Sequence, residues 1–458
     1  MSETTLFKSK LGLIAATVGS AVGLGTVWRF PAETQANGGA AFLLVYTLCI
    51  FILGVPIMLS EFALGRSGRC DAVRAFSRFD KRSPWVGTGM LAVLASYMIL
   101  IFYMVVGGWT VEYLVTSVTG DLYQALPAAA QDSHVMDTMF IAKMRQYVET
   151  PWAPLIATVA VISMTIGVLL GGVQKGIERL SNVMMPLLFV LLVAFCCVTL
   201  SLPGAGEGVR FFLNPDFSKI DAGVVINALG QALFSLSLGM GILITYAAYY
   251  PSDTRLVKTS VTVSGLTLMI AVLMGFLIFP AVTSFGLADH KFGGTTLVFV
   301  TLPEVFMNLP GTRVWSALFF LLLFMGALTS IVSIAEVSVA FVADRFKLSR
   351  TKAVIYTILP MFVLSSICSL SFSTLSHITI FGDNIFGFLD NVTNNYMLPL
   401  VALFGCLYVG WVAPKNLLRD ELTNGGKLAY NLFDRVVHVI VKWVAPLAIL
   451  IILLSNIF

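Results

Sequence analysis

The stretch VGSAVGLGTVWRFP, residues 18–31, decides how this chain folds. It lies within a long apolar segment near the start of the sequence, yet it contains three glycines in seven residues, followed by Arg29 and Pro31. Glycine and proline are the least favourable residues inside an α-helix. The stretch therefore predicts a helix that is interrupted in its middle, and the surrounding sequence must explain why the interruption is tolerated.

The composition predicts a helical membrane protein. Of the 458 residues 58% are hydrophobic and only 11% are charged, against about 25% charged residues in soluble domains. The net charge of +4 gives no indication of nucleic-acid binding, and the six cysteines show neither metal-ligand nor disulfide spacing. The four histidines likewise form no metal-ligand pair and no nucleophile–base arrangement, which argues against an enzyme. Three of them, His134, His290 and His377, fall in loops or at the ends of apolar runs, and His438 lies near the start of the last run.

Apolar runs of the length that crosses a bilayer, about 20 residues, predict eleven spans. They cover residues 11–36, 40–65, 86–117, 153–171, 178–201, 222–249, 257–285, 313–343, 352–371, 384–412 and 436–457. Two shorter apolar pieces within residues 286–312 predict a surface hairpin. Lysine and arginine concentrate in the loops after spans 2, 8 and 10, which predicts that these loops and the N-terminus are cytoplasmic and the C-terminus is outside.

Spans 1 and 6 carry matching interruptions, SAVGLG at residues 20–25 and SLSLGMG at residues 235–241. A single glycine in a membrane helix usually serves close helix packing. Here the two interruptions lie in the first helix of successive five-helix blocks, and five is odd, so the second block crosses the membrane in the opposite direction. This pattern predicts an inverted repeat, residues 1–201 and 202–412, followed by residues 413–458 with the eleventh helix. Broken helices at corresponding positions are typical of a transporter binding site, where freed backbone groups bind a carboxylate and a cation.

Four further blocks make the chain resemble the bacterial neurotransmitter:sodium symporter family. They are NGGAAF (residues 37–42), EFALGR (61–66), GQALFSLSLGMGILITYAAY (230–249) and GALTSIVSIAE (326–336), and they follow residues 19–31 in the order found in the family. The resemblance implies the LeuT fold and Na⁺-driven import of an amino acid across the bacterial inner membrane. Few charges and many apolar groups in the implied pocket favour a small hydrophobic or aromatic L-amino acid.

The resemblance also implies site residues. The implied substrate site comprises Ser20, Ala21, Gly23, Leu24, Gly25, Ile99, Tyr103, Phe234, Ser235, Ser237, Met240, Ser330 and Ile334. A Na⁺ site between spans 1 and 8 is implied at the carbonyls of Gly19, Val22 and Gly326 and the hydroxyls of Thr329 and Ser330. A second Na⁺ site is implied at Ala21, Thr26, Ser235 and Thr267. The implied gates are Arg29 with Asp390 and Gln231 outside, and Asp344 with Tyr249 inside. Glu61 is implied to support the unwound backbone of spans 1 and 6.

Three departures from the family pattern shape our expectations. Thr26 and Thr267 stand where the family has side-chain amides, so we expect coupling mainly through the span 1/span 8 site; the opposing interpretation is that both threonines still bind a second ion. Ala271 replaces the serine of chloride-dependent members, so chloride is not expected. At the inner gate, Thr4 and Phe7 replace an arginine and a tryptophan, which predicts a looser gate unless Lys8 or Lys10 substitutes. The alternatives are a proton-coupled permease of the same fold and a transporter-like amino-acid sensor.

Overall fold

The computed structural model describes residues 6–23, 25–79, 84–124, 135–287, 294–429 and 432–456. Within these residues nine helices are long and apolar enough to cross a membrane. They are spans 2 (Ala40–Gly68), 3 (Val86–Thr119), 4 (Trp152–Leu170), 5 (Val173–Leu200), 7 (Leu256–Ser284), 8 (Thr312–Phe346), 9 (Arg350–Leu370), 10 (Ile385–Val412) and 11 (Phe433–Ser455). Spans 1 and 6 are the two interrupted helices, so the predicted all-α polytopic fold is confirmed.

Span 1 consists of the helices Lys10–Ala21 and Gly25–Ala36, which meet at an angle of 56°. Span 6 consists of Ala222–Ser235 and Ile242–Ala248. Its break has a local cause: Ser237, Gly239 and Gly241 all have positive φ angles, of 54°, 75° and 71°. That left-handed region is incompatible with a continuing right-handed helix and is adopted most readily by glycine. The two interruptions predicted from the sequence are therefore present.

Burial separates an inner group of spans from an outer one. In its most apolar window span 8 is 78% buried and span 3 is 67% buried, and the two pack against each other along their length. In the most apolar windows of spans 5 and 11 only 33% and 39% of the residues are buried, so most of their apolar side chains face outward. The first half of span 1 packs on spans 5, 7 and 8, and the second half of span 6 packs on span 2.

The segment predicted as a surface hairpin is the clearest difference in the fold. Its described part forms one short helix, Gly294–Met307. Apolar side chains such as Phe299 and Phe306 are fully buried there against Tyr113, Phe319 and Phe320. The predicted surface location is wrong for this part, because it buries its apolar side on the ends of spans 3 and 8. Residues 288–293, which belong to the other arm of the predicted hairpin, lie outside the described residues.

The loops contain further short elements. Helices occur at Ala72–Ser77, Val135–Glu149, Ala205–Leu213 and Leu417–Leu422, single 3₁₀ turns at Asp121–Tyr123 and Phe217–Lys219, and a small antiparallel hairpin pairs Thr379–Ile380 with Asp383–Asn384.

Candidate functional site

The breaks in spans 1 and 6 face each other and are joined by side chains. The Ser237 hydroxyl donates to the Ser20 carbonyl at 2.8 Å, and the Gln231 amide donates to the Gly25 carbonyl at 3.1 Å. On the other side of the span 6 break, one carboxylate oxygen of Glu61 accepts from the Gly239 N–H at 2.8 Å. Groups freed by unwinding cost several kcal/mol each if left unpaired in a membrane. These three bonds show how part of that cost is offset.

The five groups predicted to form the span 1/span 8 sodium site lie together. The Ser330 hydroxyl donates to the Gly19 carbonyl at 3.1 Å, and the Thr329 hydroxyl donates to the Gly326 carbonyl at 3.0 Å. A methyl group on Gly326 would lie 3.2 Å from the Val22 carbonyl oxygen, so the backbones of spans 1 and 8 are in close contact here. All five groups are uncharged oxygen ligands, the type that hard cations prefer. The donor set therefore fits a bound Na⁺, and its use as such stays a prediction.

The second predicted sodium site is only partly hydrogen-bonded. The Thr26 hydroxyl, which is completely buried, donates to the Ala21 carbonyl at 3.0 Å. Ser235 accepts from the Gln231 amide at 3.0 Å. The Thr267 hydroxyl is buried and has no hydrogen-bond partner among the described residues. Two of the four predicted ligands, Thr26 and Ala21, are thus bonded to each other, and the buried hydroxyl of a third, Thr267, has no partner among the described residues.

The walls of the predicted substrate site meet span 1 at its two glycines. A methyl group on Gly23 would overlap the Ser330 hydroxyl and lie 3.2 Å from the Tyr103 hydroxyl, whereas one on Gly25 would overlap the Phe234 ring. Only glycine leaves room for these approaches. Ser20 donates back to the Thr17 carbonyl at 2.8 Å, so its own backbone carbonyl, and not its side chain, faces the break of span 6.

The remaining predicted substrate-site residues are placed less directly. Ile99, Met240 and Ile334 are all at least 96% buried, on span 3, in the break of span 6 and on span 8. The Ser96 hydroxyl donates to the Met240 carbonyl, which ties the break of span 6 to span 3. Leu24 lies outside the described residues. The role of each of these side chains stays a prediction.

At the predicted outer gate, Arg29 pairs with a different acid in this conformation. A cavity of about 490 Å³ leads toward Tyr103 and Phe234 and is lined by both Arg29 and Asp390. Arg29 lies over the Phe234 ring at 5.2 Å and pairs with Glu33 at 3.6 Å, not with Asp390.

The Asp390 carboxylate instead accepts from the Asn394 amide at 2.6 Å. In this conformation the acid that pairs with Arg29 is Glu33, one helical turn away, and the gate between Arg29 and Asp390 stays a prediction. Gln231, predicted as a helper at this gate, is 1% exposed and bonded within the break.

The segment that precedes span 1 packs onto the region of the predicted inner gate. Phe7 is 3% exposed and packs on the rings of Tyr246, Tyr249 and Tyr250, and its N–H donates to the Tyr249 carbonyl at 3.0 Å. The Gln174 amide of span 5 donates to the Leu6 carbonyl at 2.8 Å. Phe7 thus fills the space among three tyrosines in this conformation, and the looser inner gate stays a prediction. Thr4 lies outside the described residues.

Glu178 completes this packing. Its carboxylate accepts from the N–H groups of Lys8 and Ser9 at 2.9 and 3.0 Å, and from the Ser9 hydroxyl at 2.7 Å. Ser9 is in turn the N-cap of span 1 and accepts from the Gly12 N–H at 2.9 Å. A negative charge at a helix N-terminus also interacts favourably with the helix dipole. Span 5 thus holds the start of span 1 through one buried carboxylate.

Asp344, the acid of the predicted inner gate, pairs with neither of the lysines considered as its partners, Lys8 and Lys10. It pairs with Arg74 of the loop after span 2 at 3.1 Å. The Asp71 N–H donates to Asp344 at 3.3 Å. Burial, reinforced by the neighbouring Asp344 carboxylate, raises the pKa of Asp71 to about 7. A lysine in place of the family's arginine is therefore not how this chain neutralises Asp344.

Tyr249 also contacts an acid that sequence reasoning missed. Its hydroxyl donates to Glu336 of span 8 at 2.8 Å, and Arg350 binds both oxygens of the same carboxylate at 2.6 Å. Glu336 is completely buried. An ionisable residue inside a predicted span is by itself an indication of a functional position. That signal was present for Glu336, as it was for Glu61, and Arg350 begins the following span.

Comparisons with known proteins show which family the chain resembles. The model of the sodium:neurotransmitter symporter family matches residues 4–150 and 138–458. An uncharacterized sodium-dependent transporter of Bacillus subtilis (strain 168), YhdH, is 34% identical over 98% of this chain and 96% of its own. A similarly named protein of Haemophilus influenzae is 34% identical over 99% and 98%, and the sodium-dependent dopamine transporter of Bos taurus is 27% identical over 84% and 62%.

Among solved structures, the crystal structure of MhsT in complex with L-phenylalanine superimposes with a TM-score of 0.88. It is 39% identical to this chain, and the match covers 98% of this chain and 99% of the other. At this identity and coverage the likeness extends to the whole eleven-span architecture.

Proposed function

Because this chain belongs to the sodium:neurotransmitter symporter family, we propose that it imports a small hydrophobic or aromatic L-amino acid together with Na⁺ by alternating access. The family is one of sodium-dependent transporters and not of enzymes. The observation that carries the proposal is the meeting of Tyr103, Ser330 and Phe234 at Gly23 and Gly25. An aromatic and largely uncharged pocket beside an unwound backbone suits an apolar amino acid. The L-phenylalanine bound by MhsT, a similar protein, points to the same class.

The proposed coupling is one Na⁺ per substrate through the span 1/span 8 site. In support of this coupling, five uncharged oxygen groups lie close together at that site. At the second site, the Thr26 side chain is shorter than the amide that the family pattern has at that position. The unpartnered Thr267 hydroxyl is the observation that favours a second ion. Chloride is not part of the proposed cycle.

A proton-coupled permease is the second candidate function. One carboxylate oxygen of Glu61 accepts from Gly239, but the other is buried without a partner among the described residues. A buried oxygen without a donor is a natural place for a proton. Sodium coupling is nevertheless favoured, because the named relatives of this chain are sodium-dependent transporters.

We place the protein in the bacterial inner membrane with its N-terminus inside and its C-terminus outside, as the loop charges predict. Residues 1–201 and 202–412 are proposed to be inverted repeats, supported by the break in the first span of each. The amino acid itself and the lipid bilayer are the proposed partners. The sensor alternative has no observation in its favour.

Uptake of radiolabelled L-phenylalanine into proteoliposomes tests the proposal. We expect uptake that needs an inward Na⁺ gradient, is lost when choline replaces Na⁺, and shows a Hill coefficient near one. Thr329→Val removes a predicted ligand while keeping the side-chain volume, and should raise the Na⁺ concentration for half-maximal uptake about tenfold. The control Thr47→Val removes a hydroxyl that bonds only within span 2, and should change nothing.

Three results would contradict parts of this proposal. Uptake that persists in choline and follows a pH gradient would replace sodium coupling by proton coupling. A Hill coefficient near two that falls to one in Thr26→Ala would establish the second site. If the protein transported no apolar L-amino acid, the proposed substrate class would be wrong. The sodium proposal would then stand only if Na⁺ still stabilised the protein.

A further inference from the structure

A cavity of about 680 Å³ lies at the predicted cytoplasmic end of the molecule, away from both breaks. Four separate parts of the chain form it: the start of span 1, the end of span 2, the loop before span 7 and the loop after span 10. Five basic side chains and three acidic ones line it, which leaves a net charge of +2. The charged lining residues are Lys10, Arg66, Arg69, Arg255, Lys427, Asp253, Asp420 and Glu421.

Two arginines form a rigid inner wall of this cavity. Arg66 is only 5% exposed and donates to the Glu421 carboxylate at 2.5 Å, to the Thr254 carbonyl at 2.6 Å and to the Asn424 side chain at 3.0 Å. It also donates to the backbone carbonyl of Glu421. Arg69 donates to the backbone carbonyls of Ala248, at 3.3 Å, and of Tyr250. Carbonyl groups orient a guanidinium but do not neutralise it, so among the described residues Glu421 is the one carboxylate bonded to these two cations.

The opening of the cavity carries three more cations. Lys10, Arg255 and Lys427 are exposed, and none of them forms an ion pair within the part of the chain that the structure describes. The exposed Asp253 and Asp420 offset two of these three charges. The net charge of the opening is therefore positive, and the cavity is large enough for a small anionic head group. The three cations belong to three separate parts of the chain, and guanidinium and ammonium groups are the side chains that bind phosphate.

We propose that this cavity binds a phosphate group, contributed by an anionic phospholipid head group or by a soluble phosphate. Basic pockets between spans on the cytoplasmic side are suited to lipid head groups, because the cytoplasmic leaflet is rich in anionic lipid. The phosphate contacts Lys10 at the start of span 1 and Arg255 and Lys427 on the opposite wall. It therefore bridges span 1 to the loop after span 10 and stabilises the arrangement in which the inner gate is closed. The lipid source rests on the proposed orientation of the chain.

Thermal unfolding of the purified full-length protein in detergent tests the proposal, because a ligand that binds the folded state raises Tm as its concentration rises. The probes are dioctanoyl phosphatidylglycerol, its neutral counterpart dioctanoyl phosphatidylcholine, and inorganic phosphate at matched ionic strength. We expect phosphatidylglycerol to raise Tm in a saturable way and phosphatidylcholine to have no effect. Arg255→Gln and Lys427→Gln should each weaken the apparent affinity about fivefold, since each removes one of the contacting cations.

The matched control is Lys352→Gln, which removes an exposed cation at the start of span 9, outside the cavity. Saturable stabilisation by inorganic phosphate that competes with phosphatidylglycerol would identify a soluble phosphate as a ligand of the same site. Equal losses of affinity in Lys352→Gln and the cavity variants would overturn the proposal in favour of a general surface-charge effect. Absence of stabilisation by both phosphate probes would overturn it as well. None of these results depends on transport, so they are separable from the proposed function.

Discussion

Replacing Glu178 by glutamine should release the start of span 1 and open the inner gate. The carboxylate is 4% exposed and accepts three hydrogen bonds from Lys8 and Ser9, at 2.7–3.0 Å. A hydrogen bond to a charged group contributes about 1.5–3 kcal/mol. Glutamine keeps one acceptor oxygen and the shape of the side chain, so the net loss is about 2 kcal/mol. At 1.36 kcal/mol per factor of ten, the closed state loses about 30-fold in population relative to the open state.

Cysteine labelling from the cytoplasmic side measures this shift. The reporter is Thr17→Cys, a completely buried position in the first half of span 1, in a background without the six native cysteines. With an impermeant maleimide in inside-out vesicles, we expect Glu178→Gln to label up to about 30-fold faster than its parent in the presence of Na⁺. Glu207→Gln is the matched control, because Glu207 is exposed on a short helix after span 5.

A second variant reaches the same carboxylate without removing it. A methyl group on Gly12 would overlap the Glu178 side chain, so Gly12→Ala must displace the carboxylate from Ser9. We expect faster labelling in this variant too. Labelling within twofold of the parent in both Glu178→Gln and Gly12→Ala would refute the idea that this carboxylate holds the gate closed.

Two further predictions follow from single contacts. The raised pKa of Asp71, about 7, means that the folded protein binds a proton more tightly than the unfolded chain, so its stabilising contribution is lost as pH rises from about 4 through 7. Asp71→Asn keeps the helix cap, and its Tm between pH 5 and 8 should fall less with pH than that of the wild type; parallel profiles would contradict this. Gly25→Ala should abolish uptake because its methyl overlaps the Phe234 ring, while Gly206→Ala, with open space around it, should transport normally.

The sequence alone determined the features that depend on local composition. Apolar run lengths predicted the spans, and glycines 23, 25, 239 and 241 predicted both breaks, because hydropathy and low helix propensity are properties of the local sequence. Of these glycines, Gly239 and Gly241 adopt positive φ. The hydroxyls of Thr329 and Ser330 could be predicted to face span 1 from the family pattern, and the structure brings Ser330 to the Gly19 carbonyl and Thr329 close to Gly19. The surface location predicted for residues 294–307 was wrong, because their burial depends on spans 3 and 8.

Only the tertiary structure decided which charges meet at the two gates. Arg29 had a local acid, Glu33, and a distant one, Asp390, and hydropathy cannot tell which lies nearer the guanidinium. Asp344 pairs with Arg74, and the N-terminal segment bonds to Glu178, across 270 and about 170 residues of sequence. Such pairs depend on how each span is rotated about its axis and how deep it lies in the bundle. These are outcomes of packing between helices, which no single stretch of sequence contains.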